Sequence, residues 1–192
     1  MAKGWHSEPG RHALAAKGLK TKQLFGRKDL YEKAKRAVIL ARKDKLEHSF
    51  TADWDDGEPF KLKNGKPNPF TNELPDEERE ASFHIHPSYE PPMPSPFDVV
   101  NAERNEELWS AVGNLNGDVI VFKPNNDTKE YKQFDKLTWD AWLEYEGRTE
   151  DGGVRFKGGD GQQKLDRAQR LLDDDIRSNS GKIVQILWRE KL

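Results

Sequence analysis

The sequence predicts an α/β fold, a mixed β-sheet flanked by helices, and three observations carry that prediction. Two charged segments, residues 29–46 and 162–178, place apolar side chains at helical spacing. Between them stand short apolar runs such as Val119-Ile120-Val121-Phe122, bounded by glycine or proline as strands are. The two kinds of segment interleave along the chain, the order expected when helices cover the faces of a sheet.

In chain order, Leu30, Tyr31, Ala34, Ala37, Val38 and Ala41 form one stripe of the first helix, and basic residues occupy its other face. Residues 47–54 read as a strand that ends at the turn Asp55-Asp56-Gly57. Residues 58–79, rich in Pro, Gly, Asn and acids, read as a long loop or weak hairpin, and residues 79–86 as the next strand. From Asp98 to about Gly113 the spacing of Val99, Ala102, Trp109 and Val112 predicts a helix. Residues 117–123 are an apolar strand, which residues 124–127 turn into a hairpin partner at 128–134. Residues 137–145 predict a short helix with Trp139 and Trp142 as core anchors. The six glycines in residues 147–161 predict a flexible loop, and they lack the strand–loop–helix order of a phosphate-binding motif. Leu165, Ala168, Leu172 and Ile176 form the stripe of the last helix, and residues 183–188 close the chain as a strand.

Composition bounds the function. The 192 residues suit one domain with a tail. With 34% hydrophobic and 34% charged residues, the balance is that of a polar, soluble protein. There is no cysteine, which excludes a disulfide, a thiolate metal ligand and a thiol nucleophile. No apolar run approaches the roughly 20 residues that span a bilayer, and no signal-peptide core is evident. A cytoplasmic protein with no membrane partner is the expectation.

Charge divides the chain. Residues 1–46 carry thirteen Lys/Arg against four Asp/Glu, and residues 47–192 carry nineteen against thirty. Residues 1–28 read as a flexible basic arm, with a short helix near residues 11–17, preceding a domain at 29–192. Such an arm is either a solvated tail or a nucleic-acid contact acting through counterion release. His6 and His12 lie in it with no third ligand near in sequence.

The most specific signal is Ser82-Phe83-His84-Ile85-His86-Pro87 followed by Pro94-Ser95-Pro96-Phe97-Asp98. Two histidines one residue apart on a strand share a face, and two imidazoles so placed can converge on one zinc ion. Asp98 offers an oxygen as third ligand, leaving a fourth position for water as in catalytic zinc sites. Ser95-Pro96-Phe97-Asp98 is equally a helix N-terminal box, with Ser95 as cap and an acid at the third position.

The pattern His-x-His-Pro, loop, Ser-x-x-Asp resembles the metal-binding signature of the JAMM (MPN-plus, JAB-domain) zinc metalloproteases. Eleven residues separate His86 from Asp98, one more than is usual in that family, and the extra residue falls in the loop 88–93. The resemblance implies a layered, cytidine-deaminase-like domain over residues 29–192. It also implies zinc held by His84, His86 and Asp98, and a glutamate acting as general base and acid on a strand upstream of the histidines. Glu47 occupies that place, with Glu58 and Glu80 as other candidates and an ion pair with Lys43 or Lys45 as its alternative role. Ser95, matched to the family serine, would donate to the oxyanion. The activity implied is hydrolysis of a peptide or isopeptide bond in a protein substrate, a ubiquitin-like modifier among the candidates. The other readings are an inactive scaffold of the same fold, or a nucleic-acid-associated protein acting through residues 1–28.

Overall fold

The computed structural model describes residues 28–52, 63–65, 81–107, 109–148, 154–157 and 159–192. The basic arm other than Lys28, its short helix, His6 and His12, Trp54, Glu58 and Glu80 lie outside the described residues. Lys28 itself opens a helix.

Helix α1 (Lys28–Asp44) leads into β1 (Glu47–Ala52), which is followed by β2 (Lys63–Gly65) and β3 (Ala81–Ile85). Then come α2 (Pro96–Arg104), β4 (Trp109–Gly113), β5 (Asp118–Pro124), α3 (Lys129–Leu143), β6 (Tyr145–Arg148), β7 (Val154–Phe156), α4 (Gly161–Ser178) and β8 (Val184–Lys191). Six strands form one sheet in the order β2-β1-β3-β4-β5-β8, and β6 and β7 pair separately. Only β3 and β4 run parallel within the six-stranded sheet, and α2 is the crossover between them, since parallel neighbours cannot be joined by a tight turn. The expected α/β class with a mixed sheet and flanking helices is the observed one.

Strand alternation sorts side chains into two cores. Phe50, Phe83, Ile85, Ala111, Val119 and Val121 pack on one face with Leu30, Ala34, Ala37 and Val38 of α1. Val112, Ile120 and Phe122 face the other way, onto Val99 and Ala102 of α2, Phe134 of α3, and Ala168, Leu172 and Ile176 of α4. The sheet is thus the middle of three layers. On that second face β3 contributes polar residues, Ser82 and His84.

Four expectations are corrected. The helix expected to run to Gly113 stops at Arg104, because Glu106 takes a left-handed conformation (φ 52°). The Glu106 N–H then bonds to the Glu103 carbonyl at 2.9 Å and the Glu107 N–H to that of Ala102 at 2.8 Å, a Schellman closure usually marked by glycine. Trp109 and Val112 are buried as expected, but in β4, a central strand covered on both faces. Residues 128–134 are not a strand: the Thr128 hydroxyl accepts the Tyr131 N–H at 3.0 Å and starts α3, which continues through the short helix expected at 137–145. Of the glycine-rich 147–161 segment, the described residues 147–148 and 154–156 lie in the antiparallel pair β6 and β7, and Gly161 begins α4. Trp139 and Trp142 are not core anchors: they stack at 4.5 Å on the surface of α3, with Trp142 exposed, and line a small groove against α2 with Arg104 over Trp139.

Candidate metal centre

β3 pairs with β1 and β4 so that His84 stands opposite Ser49 on one side and Val112 on the other. All three therefore point to the face that α2 covers. His86 lies one step past the strand, but its N–H still bonds to the Gly113 carbonyl at 2.9 Å, which keeps its parity with His84. Their Nε2 atoms are 3.0 Å apart.

The loop after Pro87 is tied to the β4–β5 turn. The Leu115 N–H bonds to the Ser88 carbonyl at 2.8 Å, and the side-chain amides of Asn114 and Asn116 donate to the carbonyls of Glu90 and Tyr89 at 2.7 and 3.0 Å. The loop so held delivers the N-terminus of α2 to the end of β3. There Ser95 is the N-cap, its Oγ accepting the Asp98 N–H at 3.2 Å, while Asp98 Oδ2 accepts the Ser95 N–H at 2.6 Å. The reciprocal pair fixes the carboxylate. Its Oδ1 lies 3.4 Å from His84 Nε2, and its Oδ2 lies 3.7 Å from His86 Nε2. One geometry thus carries the helix N-terminal box and, with the eleven-residue spacing, sets Asp98 beside both histidines.

His84, His86 and Asp98 form a group that can hold a metal ion. Two atoms each about 2.0–2.1 Å from a shared ion lie roughly 3 Å apart, close to the separations observed. Two imidazoles and one carboxylate are a donor set that suits zinc and other divalent first-row metals. His84 is the most enclosed of the three at 12% exposure and His86 the most open at 26%, so access is from the His86 side.

The electrostatics agree. Burial acts to lower the His84 imidazole, but the Asp98 carboxylate, by charge and hydrogen bond, then Glu47 and Glu107, raise it from 6.5 to about 9. Burial likewise pushes the Asp98 carboxyl up, and the charges and hydrogen bonds of His84 and His86 overcome that and hold it well below 3.8. The carboxylates of Asp98, Glu47 and Glu107 thus favour positive charge at His84, the charge a divalent ion would bring on displacing the proton.

Glu47 is half-buried at the start of β1. It shares a face with Ser49 and hence with His84, and the β1–β3 register continued by one step sets it opposite His86. Its charge acts on His84. Among the described residues no ion pair joins it to Lys43 or Lys45.

Sequence reasoning missed Glu107. It is buried, its Oε2 accepts the Ser82 hydroxyl at 2.6 Å, and Ser82 Oγ lies 2.8 Å from Ser110 Oγ. Ser82 has the parity of His84, so this polar strip continues the histidine row inward. The signal was hidden because Glu107 fell inside the segment read as helix.

No helix among the described residues is long and apolar enough to cross a membrane. No family model, curated protein or solved structure matches this chain.

Proposed function

We propose that this chain is a zinc-dependent peptidase or isopeptidase of the JAMM type, hydrolysing an amide bond in a protein or peptide, an isopeptide link to a ubiquitin-like modifier included. The observation that carries the reading is the convergence of His84, His86 and Asp98 with Glu47 on the same sheet face. A donor set of two imidazoles and one carboxylate, closed on the sheet side and open beside His86, matches the three protein ligands of catalytic zinc sites.

Bound there, zinc supplies Lewis acidity toward the substrate carbonyl and makes water a competent nucleophile near neutral pH. His84 and His86 bind as neutral imidazoles, and Asp98, anchored by the Ser95 N–H, contributes the negative ligand. Glu47 takes a proton from the attacking water as the new C–O bond forms. It passes that proton to the nitrogen as the C–N bond breaks, so the products are an acid and an amine and Glu47 ends as it began. Such proton transfer is worth about 10²–10⁴-fold in rate. The Ser95 hydroxyl, whose oxygen is used in the cap, keeps its hydrogen to donate to the developing oxyanion, a contribution of roughly 2.7–4 kcal/mol where such donors have been removed.

The test is metal content and turnover in one preparation. Protein refolded with zinc retains one equivalent and cleaves a mixed library of peptide and isopeptide substrates, and a His84→Ala/His86→Ala variant does neither. Retention of well under half an equivalent, or full retention by the double variant, contradicts the reading. So does restoration of activity by iron but not by zinc.

A further inference from the structure

A cleft of about 690 Å³ opens beside His86. One wall is the β3–α2 loop with Glu90 and Met93, and the other is α4 with Asp173, Ile176 and Arg177. Arg189 of β8 completes it. The sheet register ties this cleft to the metal centre, for His84, Val112, Ile120 and Arg189 are successive cross-strand partners in one row on one face. Strands spaced about 4.8 Å apart put roughly 14 Å between the backbones of His84 and Arg189.

The charges are distributed unevenly across this space. Arg177 and Arg189, both exposed, enter no ion pair among the described residues. A guanidinium offers five donors and no acceptor, and it matches a carboxylate in two parallel hydrogen bonds. Of the two acids in the lining, Glu90 stands on the opposite, loop wall, and Asp173, which accepts the Gln169 side-chain amide at 2.8 Å, is one carboxylate against two guanidiniums on the α4–β8 side. The α4–β8 side of the cleft is therefore its cationic side. Met93 and Ile176 give the two facing walls apolar surface.

Resting on the peptidase reading of the metal centre, we infer that this cleft is its substrate-recognition pocket. Arg177 and Arg189 receive a carboxylate of the peptide, borne on an acidic side chain or at the chain's C-terminus. An extended peptide advances about 3.3 Å per residue, so roughly 14 Å sets that carboxylate about four residues from the bond that is cut.

Three dye-labelled eight-residue peptides test this. One carries glutamate and an amidated C-terminus, the second has glutamine in its place and an amidated C-terminus, and the third has the glutamine sequence with a free C-terminus. Binding is read by fluorescence anisotropy on zinc-loaded, full-length Glu47→Gln protein, and cleavage on zinc-loaded wild type. At least one carboxylate peptide binds tenfold or more tightly than the neutral one, and which of the two does so identifies the source of the carboxylate. In an Arg177→Gln/Arg189→Gln variant with unchanged zinc content, that advantage is lost. Should the double variant not fold, a lysine peptide is compared on the unaltered arginines, where it binds more weakly than the glutamine peptide. Equal binding of all peptides, or a preference that survives loss of both arginines, overturns the pocket. Cleavage without carboxylate preference overturns the pocket and leaves the peptidase reading standing. Carboxylate-selective binding with no cleavage of any peptide overturns the peptidase reading and leaves the pocket.

Discussion

Oδ1 of Asp98 lies 3.4 Å from Nε2 of His84, and the other oxygen of the same carboxylate is anchored 2.6 Å from the backbone nitrogen of Ser95. In the proposed metal centre the helix cap is thus the device that aims a ligand. The two functions separate by mutation. Ser95→Ala removes the cap acceptor, costs about 0.5–2 kcal/mol of stability, and leaves zinc bound. Asp98→Ala removes a cap partner and a ligand together, so metal content falls well below half an equivalent in addition to the stability loss. Thermal melting and metal analysis of both variants check this, and zinc held as tightly by Asp98→Ala as by wild type would remove Asp98 from the ligand set.

Glu47→Gln keeps the fold and the zinc and lowers turnover by at least about 10²-fold, as expected for a lost general acid–base. A second readout needs no substrate. Glu47 is one of the carboxylates that raise His84, so the metal-free variant shows a lower His84 pKa by NMR titration. Unchanged turnover in Glu47→Gln, with loss instead in Glu80→Gln, transfers the role to Glu80.

How much of this was legible in the sequence follows from how each piece is encoded. The histidine pair and the Ser-x-x-Asp box are local, with strand parity and a capping box visible within a few residues, and the three side chains come together as those patterns imply. The amphipathic helices α1 and α4 were equally clear, because each has one apolar stripe. The α2–β4 boundary was not legible. Glu106 stands in the left-handed position that glycine usually marks, and β4 is covered on both faces, so its alternation is erased. Thr128 was lost inside an apparent hairpin because its capping role needs a partner three residues on, with no acid there to complete a box. Arg189 comes near His86 through sheet order, Arg177 through the packing of α4, and Glu107 through the turn that ends α2, and no local pattern reveals such tertiary placements.

In the proposed centre, zinc affinity depends on pH through His84. Its folded-state pKa is raised from 6.5 to about 9, so in metal-free protein the His84–Asp98 interaction contributes fully below pH 6.5 and is lost as pH climbs through 9. Asp98 has the opposite sign: its pKa is lowered, so its contribution stands above about pH 4 and is lost in stronger acid. Between pH 7 and 9 zinc must displace the His84 proton, and apparent affinity rises by about tenfold per pH unit before levelling near 9. Chelator competition at pH 7, 8 and 9 measures this slope. A flat profile would mean that His84 is already neutral in the metal-free protein.

The join between α4 and β8, which sets Arg177 and Arg189 on their walls of the cleft, depends on one buried carboxylate. Asp175 accepts the backbone N–H groups of Lys182, Ile183 and Val184 at 2.8, 2.9 and 2.9 Å, together with the Ser180 hydroxyl. It is 5% exposed, so water cannot replace it. Asp175→Ala leaves the Ile183 and Val184 donors buried and unpaired, at about 1–3 kcal/mol each. At roughly 2–4 °C per kcal/mol for a chain of this size, the melting temperature falls by about 10 °C. Ser180→Ala, which removes one donor and strands no backbone group, costs about 1 kcal/mol. Asp175 touches none of the metal ligands, so the shift is the same with and without zinc. A shift that appears only in the zinc-loaded protein would instead link the α4–β8 join to the metal centre.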